Sequence, residues 1–372
     1  MKLQRTTRLR ALAAGALAVS GALALTACGS DNNTGAGAQA APTGNISCDG
    51  KGNLLASGSS AQKNAMDVWI KNYQAACQNT KINYKATGSG AGVQEFLQGN
   101  TAFAGSDSAL TPAETKQSQK ICKGGQGIDL PMVGGPIAVG YNVPGVDDLV
   151  LDAETISKIF NSEITNWNDP AIKKLNPDAK LPDLKIQAFH RSDDSGTTDN
   201  FTKYLHSAAP GAWKAEPAKK WAGKGGQAAS GSSGIATNVK QNEGAIGYFE
   251  LSYASGNDIP TVKLDTGASK PVAATTANAS KAIADAKVVG KGKDMTLELN
   301  YTTKAEGAYP MVLVTYEIVC DKGNDKQTLA ATKSFLNYAA SEDGQQALSG
   351  IDYAPMPDEI IAKVRDTIDS LS

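Results

Sequence analysis

The chain has 372 residues, 41% hydrophobic and 20% charged, which is a globular composition and long enough for two lobes, and it excludes disorder over most of the length. Only His190 and His206 are present, so a histidine-based metal centre is not expected, and no cysteine spacing follows a zinc pattern. The formal net charge of −1 gives no basic excess with which to hold nucleic acid.

Residues 1–27 carry Lys2, Arg5, Arg8 and Arg10 but no acidic residue, followed by the apolar run ALAAGALAVSGALAL. A basic start, a short apolar core and small residues before a cleavage point are expected of a secretory signal. Leu25-Thr26-Ala27-Cys28 resembles a bacterial lipobox, in which the cysteine is lipidated and becomes the first residue of the mature chain. The anchor is then a lipid rather than a helix. Residues 28–45 are rich in Gly, Ala and Asn with no periodic apolar face and read as a flexible tether. Removing the signal takes four of the 36 Lys+Arg and leaves 32 against 37 Asp+Glu, a net charge of −5.

Beyond the tether, short strands alternate with helical patterns, as in an α/β chain. GNLLASG reads as a strand, and Ala65, Met66, Trp69, Ile70 and Tyr73 then recur at helical spacing. KINYKATGSG is a second strand with a short helix after it, and NTAFAGSDSAL is a third that ends in a polar turn. IDLPMVGGPIAVGYNV is a long β-like run with a Pro/Gly interruption, a place where the chain can pass from one lobe to another. AETISKIFN is helical, and IQAFHRSDDSGTTDNFTKYL reads as strand, polar turn and helix. A Gly/Ser-rich span follows, AGKGGQAASGSSG. AYPMVLVTYEIV is a further apolar strand, and two amphipathic helices, LAATKSFLNYAAS and DEIIAKVRDTIDSL, close the chain. This layout fits an interrupted first lobe, a continuous second one and two crossing strands. Apart from Cys28, the cysteines are Cys48, Cys77, Cys122 and Cys320. An even set in an exported chain predicts two disulfides with the pairing open.

Three turns share one design: a strand ends, a Gly/Ser/Thr turn follows, and a helix begins. They are SGSSAQ (57–62), TGSGAG (87–92) and DSGTT (194–198). Each aims backbone N–H groups and hydroxyls outward from a helix start, where the dipole favours an anion. Singly, each is equally an ordinary cap. Arg191 adds a full positive charge beside the third turn, and its planar fork suits a tetrahedral oxyanion. Asp193 is placed to hold that guanidinium by a charge-assisted bond, while Asp194 reads as a solvated turn residue.

Catalytic alternatives are thin. Ser195, His190 and Asp193 are triad members by type, but near neighbours on one strand and turn point apart. No G-x-S-x-G elbow, Walker A loop or H-E-x-x-H occurs. Trp69, Trp167, Trp213 and Trp221 are expected to pack rather than to stack on sugars.

The stretches GSGAGVQEF, AGSDSALT, NWNDPAI, HRSDDSGTTDNFTKYL, GAIGYFELSYA and DYAPMP, in this order, resemble the phosphate-binding lipoproteins of bacterial phosphate ABC transporters from about residue 52 to the C-terminus. That resemblance implies an α/β, two-lobe periplasmic-binding-protein fold of type II. Each lobe is a mixed sheet flanked by helices, with residues 46–135 and 309–372 forming lobe I, residues 136–308 forming lobe II, and the ligand in the cleft. It implies that phosphate is held by Ser60, Ala61, Ser89, Asp107, Arg191, Ser195, Gly196 and Thr197, with Asp193 holding Arg191. Where Thr-Phe is common in the family, this chain has Ser60-Ala61, so an aromatic ring is missing from the first turn.

The function implied is capture of inorganic phosphate by a monomer anchored on the extracytoplasmic face of the cell membrane, and delivery to the permease subunits and their ATPase. No cofactor, metal or nucleic acid enters. The competing readings are a secreted phosphatase on the same fold and a binder of another oxyanion such as sulfate.

Overall fold

A computed structural model describes residues 46–372; the signal, Cys28 and the whole tether lie outside the described residues. The chain opens with β1 (Gly52–Gly58), α1 (Lys63–Ala76), β2 (Thr80–Lys85), α2 (Ser89–Leu97), β3 (Phe103–Ser106), α3 (Pro112–Ser118) and β4 (Gly127–Tyr141). The middle holds β5 (Val150–Asp152), α4 (Ala153–Phe160), α5 (Pro170–Leu175), β6 (Gln187–Arg191), α6 (Gly196–Ala208), β7 (Gln227–Ala229), α7 (Gly231–Gln241), β8 (Ala245–Glu250) and α8 (Leu251–Ser255). Then come β9 (Lys263–Asp265), α9 (Thr276–Ala284), β10 (Lys287–Val288), β11 (Leu297–Glu298), β12 (Val312–Cys320), α10 (Leu329–Ala339), α11 (Glu342–Gln346) and α12 (Asp358–Asp369).

Eight strands form one sheet in the order β2-β1-β3-β12-β4-β8-β6-β7. Pairs that include β12 or β8 with β4 are antiparallel, while β1 with β2 and β3, and β6 with β7 and β8, are parallel. All positions of β4 and β12 are buried, which explains why both read as unbroken apolar runs rather than as alternating ones. Helices cover the faces. Helix α1 turns Ala65, Met66, Trp69 and Tyr73 inward, and α12 does the same with Ile360, Ile361, Val364 and Ile368.

Strand β4 organises the molecule because it changes partner midway. Up to Pro136 it pairs with β12, and from Ile137 to Tyr141 it pairs with β8, so two mixed half-sheets share one strand. The chain returns beside the same point: Ile137 N–H donates to Met311 O, and Tyr309 Oη donates to Ile137 O. The two passages between half-sheets therefore run side by side at residues 136–137 and 309–312.

The cysteines pair as Cys48–Cys77 and Cys122–Cys320, each with Cα atoms 5.2 Å apart. The first ties the start of the described chain to the end of α1. The second ties the loop after α3 to the last residue of β12. Both lie in the half that contains β1 to β3 and β12.

Candidate functional site

The three Gly/Ser/Thr turns converge where the two half-sheets meet. Each follows a strand that is parallel to its neighbours within its own half-sheet; the two half-sheets run toward the junction from opposite sides, so their carboxyl ends, where open α/β sheets place their ligands, face each other there. The residues expected at the site are all buried: Ser60 is 4% exposed, Ser89 1%, Asp107 3%, Arg191 2%, Ser195 1%, and Ala61 and Thr197 are fully covered.

Ser195 is the N-cap of α6, with its Oγ accepting Thr198 N–H at 3.2 Å. Gly196 and Thr197 are the first helical residues, and among the described residues their N–H groups meet no acceptor, as the first turn of a helix dictates. Gly196 packs so closely that an added Cβ would lie 2.6 Å from Ser89 Oγ and 2.7 Å from Asp107 Cβ, so a side chain there would push the second and third turns apart. Gly90 N–H also donates to Asp194 O across the same contact. The side chain of Asp194 itself faces solvent, as expected.

Arg191 ends β6. Its Nε donates to Asp193 Oδ1 at 2.8 Å, its Nη2 contacts Asp193 Oδ2, and its Nη1 lies 3.4 Å from Thr197 Oγ1. Asp193 Oδ1 also accepts Gly231 N–H at 3.0 Å. Burial by itself would raise the Asp193 carboxyl, but the bonds and charge of Arg191, with the Gly231 N–H, outweigh it and hold Asp193 below its ordinary value.

Asp107 follows β3. Its Oδ1 accepts from Thr315 Oγ1 at 2.8 Å and its Oδ2 from Thr197 Oγ1 at 3.1 Å, while its N–H donates to Ser89 Oγ. Burial raises this carboxyl, although the Ser59, Thr315 and Thr197 hydroxyls and the Arg191 charge pull the other way. The site thus holds one cation, one carboxylate spent on that cation, and a second carboxyl.

The first turn joins less directly. Ser60 Oγ accepts Ser232 N–H at 3.0 Å and sits 3.1 Å from Ser232 Oγ. Ala61 N–H donates to Ser59 Oγ at 3.0 Å, so in this structure it is engaged within its own turn. Ser60 O and Ala61 O accept from Tyr253 Oη and Tyr353 Oη, which lock the turn from behind.

Several participants were not singled out in the sequence. Gly231 and Ser232 open α7, a fourth turn of the same design inside the Gly/Ser-rich span, where Ile235, Ala236 and Val239 at helical spacing were the available signal. Asn200 Nδ2 donates to both Asp107 O and Gly196 O, and Tyr248 Oη contacts Arg191 N–H and Thr198 Oγ1. Thr315 lies within an apolar strand and gave no signal.

The triad reading does not survive the geometry. Ser195 Oγ caps a helix, Asp193 is taken by Arg191, and the His190 ring stacks on Trp221 with centroids 4.8 Å apart while its Nδ1 faces Arg191 O. Trp69 and Trp167 are core residues whose Nε1 groups donate to Gly344 O and Gly244 O.

Known proteins resemble this chain in sequence and in fold. The family model for the PBP superfamily domain matches residues 35–343. Phosphate-binding protein PstS 3 of Mycobacterium leprae is 42% identical over 361 residues, covering 96% of this chain and 97% of that protein. Phosphate-binding protein PstS 2 of Mycobacterium tuberculosis is 41% identical over 368 residues, covering 98% and 99%. Among solved structures, a putative phosphate ABC transporter substrate-binding protein with bound phosphate from Clostridium perfringens superposes with a TM-score of 0.61 at 20% identity, covering 82% of this chain and all of that one, which shows a shared fold. The chain therefore belongs to the PBP superfamily and, within it, to the family of phosphate-binding proteins named PstS.

Proposed function

We propose that the chain is an extracytoplasmic solute-binding protein that captures inorganic phosphate and delivers it to the permease of an ABC-type importer. One observation carries the reading: the buried Arg191, oriented by Asp193, faces a cluster that contains a second carboxyl, Asp107, together with hydroxyls and the free N–H groups of Gly196 and Thr197. A guanidinium and helix N–H groups attract an anion, whereas a carboxylate repels one unless the anion brings a proton. Phosphate does so near neutral pH, and sulfate does not.

Within this reading Ser60, Ala61, Ser89, Asp107, Arg191, Ser195, Gly196 and Thr197 contact the ligand. To do so, Ala61 N–H exchanges its Ser59 Oγ partner for the ligand. Residues 46–135 with 309–372 form one lobe and 136–308 the other, and the paired passages at 136–137 and 309–312 are the hinge. The chain acts as a monomeric binding protein rather than an enzyme, held to the membrane through lipidated Cys28.

Uptake of radiolabelled phosphate at limiting concentration, by cells with the chain deleted and then restored, tests the proposal. Restoration by the wild-type chain but not by Arg191→Ala is expected. Unchanged uptake on deletion, or turnover of a chromogenic phosphate ester by the purified protein, contradicts it.

A further inference from the structure

Strand β12 buries one acidic residue among apolar ones. Glu317 is fully covered, and neither of its carboxyl oxygens meets a donor. A third buried acceptor without a donor, Gln62 Oε1, belongs to its neighbour. The sheet sets up that adjacency. Glu317 pairs with Gly105 on β3, which pairs with Gly58 on β1, so the glycines leave a bare strip beside Glu317. The Gln62 amide fills it, since a Cβ on Gly105 would lie 1.8 Å from Gln62 Nε2. Gln62 Nε2 donates to Tyr84 Oη at 3.0 Å, and Tyr84 Oη donates to Ser59 O at 2.8 Å.

Three acceptors without donors in one buried neighbourhood are costly, and a single proton on Glu317 settles two of the three by making one oxygen a donor to another. We infer that Glu317 is held as the neutral acid and donates its O–H to Gln62 Oε1, so that Glu317, Gln62 and Tyr84 form a continuous relay ending on Ser59 O and positioning the turn that carries Ser60 and Ala61. Glu317 is a positioning residue, and the inference rests on the phosphate reading of that turn. Burial and the nearby Asp107 carboxyl push Glu317 well above the carboxylate range, with the Gln62 amide opposing, which agrees with a neutral acid. Neutrality also suits an anion site, because an ionised Glu317 would add a second negative charge beside Asp107. The groups that face Glu317 are Gln62 from the first turn, Tyr84 from β2 and Asp107 after β3.

The test combines carboxyl 13C NMR of glutamate-labelled protein with calorimetric titration of inorganic phosphate at pH 7. Glu317→Gln identifies the Glu317 resonance by its loss, and that resonance is expected at the protonated position, unmoved between pH 5 and 7. Glu317→Leu leaves Gln62 Oε1 unpaired and is expected to weaken phosphate binding by about tenfold. Glu317→Gln returns a donor and is expected to recover binding to within about threefold of wild type, and Gln62→Leu with Glu317→Leu, which removes both partners, is expected to recover part of the loss. A Glu317 resonance at the ionised position at pH 7, or full-strength binding by Glu317→Leu, overturns the inference; should Glu317→Leu not fold, the NMR result on wild type decides alone. Wild-type protein that binds no phosphate overturns the proposed function instead, and the resonance still reports on the relay.

Discussion

Arg191 and Asp193, two residues apart, form a two-pronged ion pair in which the guanidinium is almost wholly buried and the carboxylate also accepts the Gly231 N–H at 3.0 Å. Among the described residues the pair fixes the one cation of the site, and it leaves Nη1 as the arm not bonded to Asp193. Removing the charge of one partner strands the other in a covered place. Asp193→Asn is therefore expected to destabilise the ligand-free protein by about 3 kcal/mol. Added phosphate should restore more stability to this variant than it adds to wild type, since the anion supplies the missing counter-charge. Thermal unfolding with and without phosphate measures both, and equal phosphate shifts would contradict the coupling.

The role of Asp107 is a matter of proton count. Ionised, it accepts a hydrogen bond from a protonated phosphate oxygen, but against sulfate it faces acceptor to acceptor. Sites that require a ligand hydrogen reject analogues lacking it by about 10⁴ to 10⁵. Asp107→Asn supplies a donor in the same volume and is expected to narrow the phosphate-over-sulfate preference, mainly by strengthening sulfate binding. Titration of both anions at fixed ionic strength checks this.

Glu250 ends β8 opposite Ile137, beside the passage between half-sheets, with its carboxylate accepting Ser252 N–H. Burial pushes it up to about 8, against 4.5 for a free glutamate. Between these values the folded chain keeps a proton that the unfolded chain has lost, so its contribution is complete below about pH 4.5, falls as pH rises, and levels off above about 8. Glu250→Gln is expected to flatten the decline in this window by up to about 1.4 kcal/mol per pH unit. Denaturant unfolding from pH 5 to 8.5 is the measurement, and parallel curves for variant and wild type would refute it.

The disulfides close loops of very different length, with sequence separations of 29 and 198. On chain entropy alone they contribute about 3.6 and about 5.3 kcal/mol. Replacing Cys122 and Cys320 by serine is thus expected to cost about 1.7 kcal/mol more than replacing Cys48 and Cys77. Unfolding midpoints of the two double variants in one denaturant series decide the order.

Much of this fold was legible because its long strands are buried throughout and its helices are amphipathic: IDLPMVGGPIAVGYNV and AYPMVLVTYEIV gave β4 and β12, and DEIIAKVRDTIDSL gave α12. Three of the four converging turns were visible as small residues between a strand and a helix. The fourth was hidden because Ser230, Gly231 and Ser232 sit in a longer Gly/Ser-rich span, where composition masks the helix start. The disulfide pairing needed the fold, since four cysteines permit three arrangements and only spatial proximity selects one. Thr315, Asn200 and Tyr248 stayed invisible because their contribution depends on partners far away in sequence, such as Thr315 with Asp107 across 208 residues. The same holds for Glu317, which only the register with Gly105 brings to Gln62.

The central claim, a buried site that selects a protonated tetrahedral anion through Arg191 and Asp107, is tested most directly by calorimetric titration of phosphate into the purified protein at neutral pH with sulfate as competitor. One phosphate per chain is expected, displaced only by sulfate in at least about ten-thousandfold excess. In Arg191→Ala the affinity should fall by about 2 to 5 kcal/mol, against about 0.5 to 1.5 for Ser89→Ala. Sulfate competing on equal terms, or Arg191→Ala binding phosphate like wild type, would contradict it.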